Sequence, residues 1–186
     1  KSIFVSNLTP VIISLFGVMI LYDLFHQILN ASLRIASGMN SIEMSYVSVG
    51  VLLFSSLFSL TYSRFKHLHK NLESNIKFLS IFYLIINLFS YSTNKLITGS
   101  SHVLKDGPGV ILDNVNIEKI NKEVSSKHRS TAISSYNFIK SIPYAVLAIP
   151  LGKGIDYIGI NKLAFYLSVF SIMVYAVLSI IFRNKA

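Results

Sequence analysis

The chain has 186 residues, 52% of them hydrophobic and only 13% charged, about half the ~25% charge usual in a soluble domain. A mean hydropathy of +0.58 beside a formal net charge of +9 excludes an ordinary water-soluble fold and fits an all-α membrane protein with basic loops. The absence of cysteine excludes disulfides and thiolate chemistry, and the start at Lys1, with no signal-peptide pattern, reads as a piece of a longer chain.

A membrane-crossing helix needs roughly 17–25 mostly apolar residues. The first predicted span covers residues 10–34, with Pro10 placed in the first turn, where a missing amide proton costs little. Asp23, His26, Gln27, Asn30 and Arg34 follow one another at i, i+3, i+4, i+7 and i+11. At 3.6 residues per turn this confines them to an arc of roughly 100°, one polar stripe on an apolar helix. The second span, residues 43–63, holds Ser48, Ser55, Ser56 and Ser59, small residues that let helices approach closely or line a path weakly. The third, residues 77–94, offers almost nothing polar beyond Asn87.

On hydropathy alone residues 96–117, with His102, Lys105, Asp106, Asp113 and a Gly107-Pro108-Gly109 break, read as a loop in a five-span chain, but counting them as a fourth span, predicted to be interrupted at those glycines, shortens the connections and sorts the basic residues to one side. Such interruptions are tolerated in a membrane only against protein or water, and transporters place substrate sites there. Lys105 and Asp106, adjacent in sequence, point about 100° apart and pair with neighbouring spans rather than with each other. The fifth span, residues 130–151, repeats the stripe with Asn137, Lys140, Ser141 and Tyr144, and the sixth, residues 162–183, is almost wholly apolar. Spans one, four and five are therefore expected to line a cavity, and spans three and six to lie at the periphery.

With six spans, eleven of the 17 basic residues fall on the side of the termini: Lys1, Arg64, Lys66, Lys70, Lys77, Lys119, Lys122, Lys127, Arg129, Arg183 and Lys185. Arg34, Lys95, Lys153 and Lys162 fall on the other, and Lys105 and Lys140 lie within spans. The positive-inside rule makes both termini cytoplasmic, in an inner or plasma membrane. The positive charge is split among loops, which argues against a nucleic-acid surface. His67, His69 and His128 sit in basic loops, whereas His26 and His102, inside spans, could carry a proton. No metal-ligand spacing, cofactor motif or nucleophile context such as G-x-S-x-G is present, so an enzyme is not expected.

Residues 120–138, INKEVSSKHRSTAISSYNF, resemble the connection between the tenth and eleventh helices of major facilitator superfamily transporters, with Arg129-Ser130-Thr131-Ala132 in the Arg-Ala-Thr position and Val124-Ser125 replacing the usual turn proline. Residues 60–66, LTYSRFK, resemble the basic loop after the eighth helix without its glycine and aspartate, and residues 152–159, GKGIDYIG, are similar to the G-x-x-x-D-x-x-G turn between the last two helices. The resemblance spans essentially the whole chain. It implies a six-transmembrane-helix bundle that forms the C-terminal half of such a transporter, an N-terminal six-helix half as its partner, and an inward-side latch at Arg64 and Lys66.

The function expected on this basis is secondary active transport of a small solute by alternating access. Asp23, His26, Gln27, Asn30, His102, Lys105, Asp106, Asn137 and Lys140 are the candidate solute ligands, and Asp23 and Asp106 the candidates for proton coupling. The alternative is a non-transporting membrane scaffold or assembly subunit derived from a transporter half.

Overall fold

The computed structural model describes residues 2–64 and 71–183, and among these every regular element is a helix. Lys1, Lys66, His67, His69, Lys70 and Lys185 lie outside the described residues, and with them half of the expected latch. Six helices follow in order: α1 over residues 2–36, α2 Ser41–Arg64, α3 Leu72–Asn87, α4 Lys95–Glu123, α5 Ser126–Ile158 and α6 Ile160–Arg183.

The boundaries have local causes. Gly38, at a φ of +84°, closes α1 with Met39 N–H donating to Arg34 O and Gly38 N–H to Ile35 O, the paired bonds of a Schellman motif. Asn40 and Glu43 then form a reciprocal capping box that starts α2. The side chains of Asn71 and Asn94 accept from backbone amides at the starts of α3 and α4, satisfying orphan donors. Gly159, at a φ of +82°, separates α5 from α6. At the opposite end, Lys119 donates to Glu123 and holds its carboxyl below the usual glutamate range, aided by the Asn7 amide that ties α1 to α4.

Four helical stretches, Asn7–Ala36, Ser41–Arg64, Ser126–Ile158 and Ile160–Phe182, are long and apolar enough to cross a membrane. α2 buries no side chain, and its Ile42, Val49, Leu52, Leu53, Leu57 and Leu60 all face outward. Apolar surface of that extent is not stable against water and requires a bilayer or a partner. The core lies between α1, α3 and α4, where Val18, Met19, Phe25, Leu29, Leu33, Ile76, Tyr83, Ile111 and Leu112 are almost fully enclosed.

α4 is the central post. α1 runs antiparallel to it, with Arg34 against His102, Tyr22 against Asp106 and Asn7 against Glu123. α2 runs parallel to it, with Val47 at Gly99, Val103 at Gly50 and Phe54 and Phe58 at Gly107.

Several expectations are corrected. Gly107-Pro108-Gly109 does not interrupt α4; all three are buried inside a continuous helix of 29 residues. A Cβ on Gly107 would meet Phe54 and Phe58, and one on Gly109 would collide with the Tyr22 ring, so these glycines admit neighbouring helices. Pro10 sits within the helical run Ser2–Ser14 and not in its first turn. The third helix begins at Leu72 and ends at Asn87, and residues 88–94 form a turn. It is not peripheral: Leu72, Ile76, Leu79, Tyr83 and Leu84 pack into the core.

Candidate functional site

A polar seam follows α4 through the apolar bundle. His102, Asp106, Gly109, Asp113 and Asn116 recur at i, i+4, i+7, i+11 and i+14, the spacing of one helix face. Asp106 is held from two other helices. Ser55 of α2 donates to its Oδ2 at 2.8 Å, Tyr22 of α1 donates to its Oδ1 at 3.4 Å, and Nδ1 of His26 lies 3.8 Å from Oδ1. One turn nearer the start of α4, Arg34 donates through Nε to Nδ1 of His102 at 3.1 Å and through Nη1 to Ser48 at 3.0 Å.

Lys105 points away from Asp106. The residue is 2% exposed, and its ammonium donates to Asn87 Oδ1 at 2.9 Å and Ser90 Oγ at 3.0 Å and lies 4.3 Å from the centre of the Phe25 ring, a cation–π distance. Asn87 in turn donates to Ser168 of α6 at 2.8 Å. Two turns beyond Asp106, Asp113 accepts from Lys140 of α5 at 2.8 Å and from the Tyr136 hydroxyl at 2.7 Å. Asn116 donates to Tyr136 and to Ser14 of α1.

Of the nine candidate ligands, His26, His102 and Asp106 lie on the α1–α4 seam, joined by Arg34. Lys105 faces α3 and Lys140 is committed to Asp113. Asn30 is half-buried with its side-chain oxygen enclosed and unpartnered. Among the described residues Asp23, Gln27 and Asn137 have no side-chain hydrogen bond or ion pair, and Gln27 and Asn137 are exposed. The α1 stripe is split because residues Phe25–Leu29 form a widened π-helical turn, which shifts the phase a uniform α-helix would keep.

Compared with family models, curated proteins and solved structures, the chain shows no match.

Sequence reasoning assigned no site role to Tyr22, Ser90, Asp113, Asn116 and Tyr136, and gave Ser55 only that of weakly lining a path. Asp113 and Asn116 carried a usable signal, since they extend the α4 spacing once the helix is taken to run through Pro108. The hydroxyl partners carried none, because a serine or tyrosine is common on any apolar helix. Among the described residues no group of three or more potential ligands could hold a metal ion. Two grooves flank the start of α4, one of about 510 Å³ against α2 and one of about 390 Å³ against the end of α3. Neither includes Asp106, Lys105 or Asp113.

Proposed function

We propose that the chain is a membrane-embedded transport unit, a six-helix half of a major facilitator-type secondary transporter that moves a small solute by alternating access. The observation that carries this reading is the charged seam of α4 running parallel to α2. Since α2 is apolar enough to cross a membrane and meets α4 from Gly99 to Gly107, α4 shares its depth, with its charges shielded by α1, α2, α3 and α5. Ionisable groups at a helix centre cost at least about 2.5–3.5 kcal/mol on insertion scales and mark solute or proton pathways. With α3 and α4 also crossing, both termini lie on the cytoplasmic side, together with Arg64, Lys77, Lys119, Lys122, Lys127 and Arg129.

Asp106 is the coupling candidate this geometry favours over Asp23. It is bound by neutral hydroxyl donors and a histidine from two neighbouring helices, so a change in its protonation would alter the contacts of α1 and α2 with α4 together. The test is flux through the full-length protein in proteoliposomes across a panel of solute classes, with and without a pH gradient. Asp106→Asn should abolish gradient-driven accumulation while sparing counterflow exchange; accumulation that survives unchanged rejects the assignment. A second reading, a non-transporting scaffold, is favoured by the Asp113–Lys140–Tyr136 set, which is complete without a solute. Absence of flux for every solute class would select it.

A further inference from the structure

The α1–α4 seam is short of acceptors at one end. A ring nitrogen that accepts from a guanidinium carries no proton, so the bond from Arg34 to Nδ1 of His102 puts the imidazole proton on Nε2. That Nε2–H is buried, in a residue 1% exposed, and has no hydrogen-bond partner. Arg34 itself, a permanently charged group, is bonded to His102 and Ser48, and Lys105 to Asn87 and Ser90, all neutral partners. His102, bonded to Arg34, and Lys105 are one turn apart on α4, and Arg34 and Lys105 lie within electrostatic reach of each other and of Asp106. Among the described residues no carboxylate is within ion-pair distance of Arg34 or Lys105.

The acids of the same seam repair this only in part. Asp106 is within electrostatic reach of Arg34 and Lys105 but not within ion-pair distance of either, and it accepts from Ser55 and Tyr22, while Asp113 is paired with Lys140. An enclosed donor beside cations that have no ion-pair partner is costly unless an acceptor arrives. What is missing is therefore negative and accepts hydrogen bonds. One turn before Arg34 on α1, the enclosed oxygen of Asn30 lacks a donor, which suits an oxyanion that also carries a hydroxyl, as protonated phosphate does.

We infer that Arg34, His102 and Lys105 form a binding site for a small oxyanion, a carboxylate or phosphoryl group, belonging to the transported solute. This rests on the transport reading above and narrows it to anionic solutes.

The test is equilibrium binding of radiolabelled inorganic phosphate and radiolabelled acetate to the detergent-solubilised full-length protein, with methylammonium and glycerol as controls. At least one anion should bind saturably and the controls should not. Arg34→Gln and Lys105→Gln should each weaken binding tenfold or more, and Arg34→Lys, which keeps the charge, should retain more than Arg34→Gln. The inference is overturned if neither anion binds the wild-type protein, or if both Gln variants bind with unchanged affinity. Saturable anion binding without flux in vesicles keeps the site and rejects transport. Flux of a solute with which neither anion competes keeps transport and rejects the oxyanion site.

Discussion

Removing the ammonium of Lys140 leaves the Asp113 carboxylate with only the Tyr136 hydroxyl, in a place where both charged side chains are largely enclosed. Breaking one partner of such a pair costs about 3 kcal/mol or more, whereas neutralising both together costs far less. Lys140→Met is therefore expected to lower the unfolding midpoint of the detergent-solubilised protein strongly, and Lys140→Met combined with Asp113→Asn to regain most of the loss. A double variant destabilised by the sum of Lys140→Met and Asp113→Asn measured singly would show that the two residues are uncoupled. Lys140 is legible in the sequence as an unusual charge in an apolar run, but its partner is not, because Gly107-Pro108-Gly109 reads as the end of the stripe on which Asp113 lies. The buried state of Lys105 is likewise invisible in sequence, since its acceptors come from α3 and the following turn, 18 and 15 residues away.

At the level of elements, α1 and α6 approach at a point where only glycine fits. The turn Leu15–Met19 is widened to a π-helix, and the Ser171 hydroxyl of α6 donates to Gly17 O at 2.6 Å. A Cβ on Gly17 would stand 2.8 Å from the Cβ of Tyr175 and 3.0 Å from its backbone Cα. Backbone cannot rotate aside as a side-chain tip can, so Gly17→Ala is expected to cost about 1–3 kcal/mol; an unfolding midpoint equal to wild type would refute this. Five of the helices are legible as apolar runs, whereas α4, with His102, Lys105, Asp106 and Asp113 in it, reads as a loop by hydropathy and is legible only because counting it as a span sorts the basic residues to one side. The limits of α3 are not legible. Charge counting assigns Glu73 to a loop and starts the span at Lys77, whereas the two form an exposed i, i+4 pair on the first turns of the helix. α3 is thus 16 residues, about 24 Å long, short of the ~30 Å hydrocarbon thickness, and its seating comes from packing on α4 rather than from length.

Across the whole molecule, the connections sort to two ends. Glu43 pairs with Lys95, and Asn161 donates to the Tyr91 carbonyl, so the α1–α2, α3–α4 and α5–α6 joints share one end. The tie between Tyr62 and Asn75 and that between Asn7 and Glu123 mark the other. Because the chain has no cysteine, single cysteines report sidedness without background. In oriented vesicles, Asn40→Cys and Thr93→Cys should label from the face opposite to Ser126→Cys with a membrane-impermeant maleimide; labelling of Thr93→Cys and Ser126→Cys from the same face would exclude a membrane-crossing α4. The two widened turns of α1 give this bundle a property that residue identity alone does not convey. Each holds a surplus residue within an otherwise continuous helix, so the direction in which His26 and Arg34 face depends on how many residues precede them. Deleting one residue from 20–24, where the helix has no surplus, would rotate His26 and Arg34 by about 100° against the residues before them, whereas a deletion from 15–19 can be absorbed by relaxing that turn to an ordinary α-turn. Chain length between the two widened turns is thus under the same constraint as the charged residues themselves, and insertions or deletions there should be tolerated less well than substitutions.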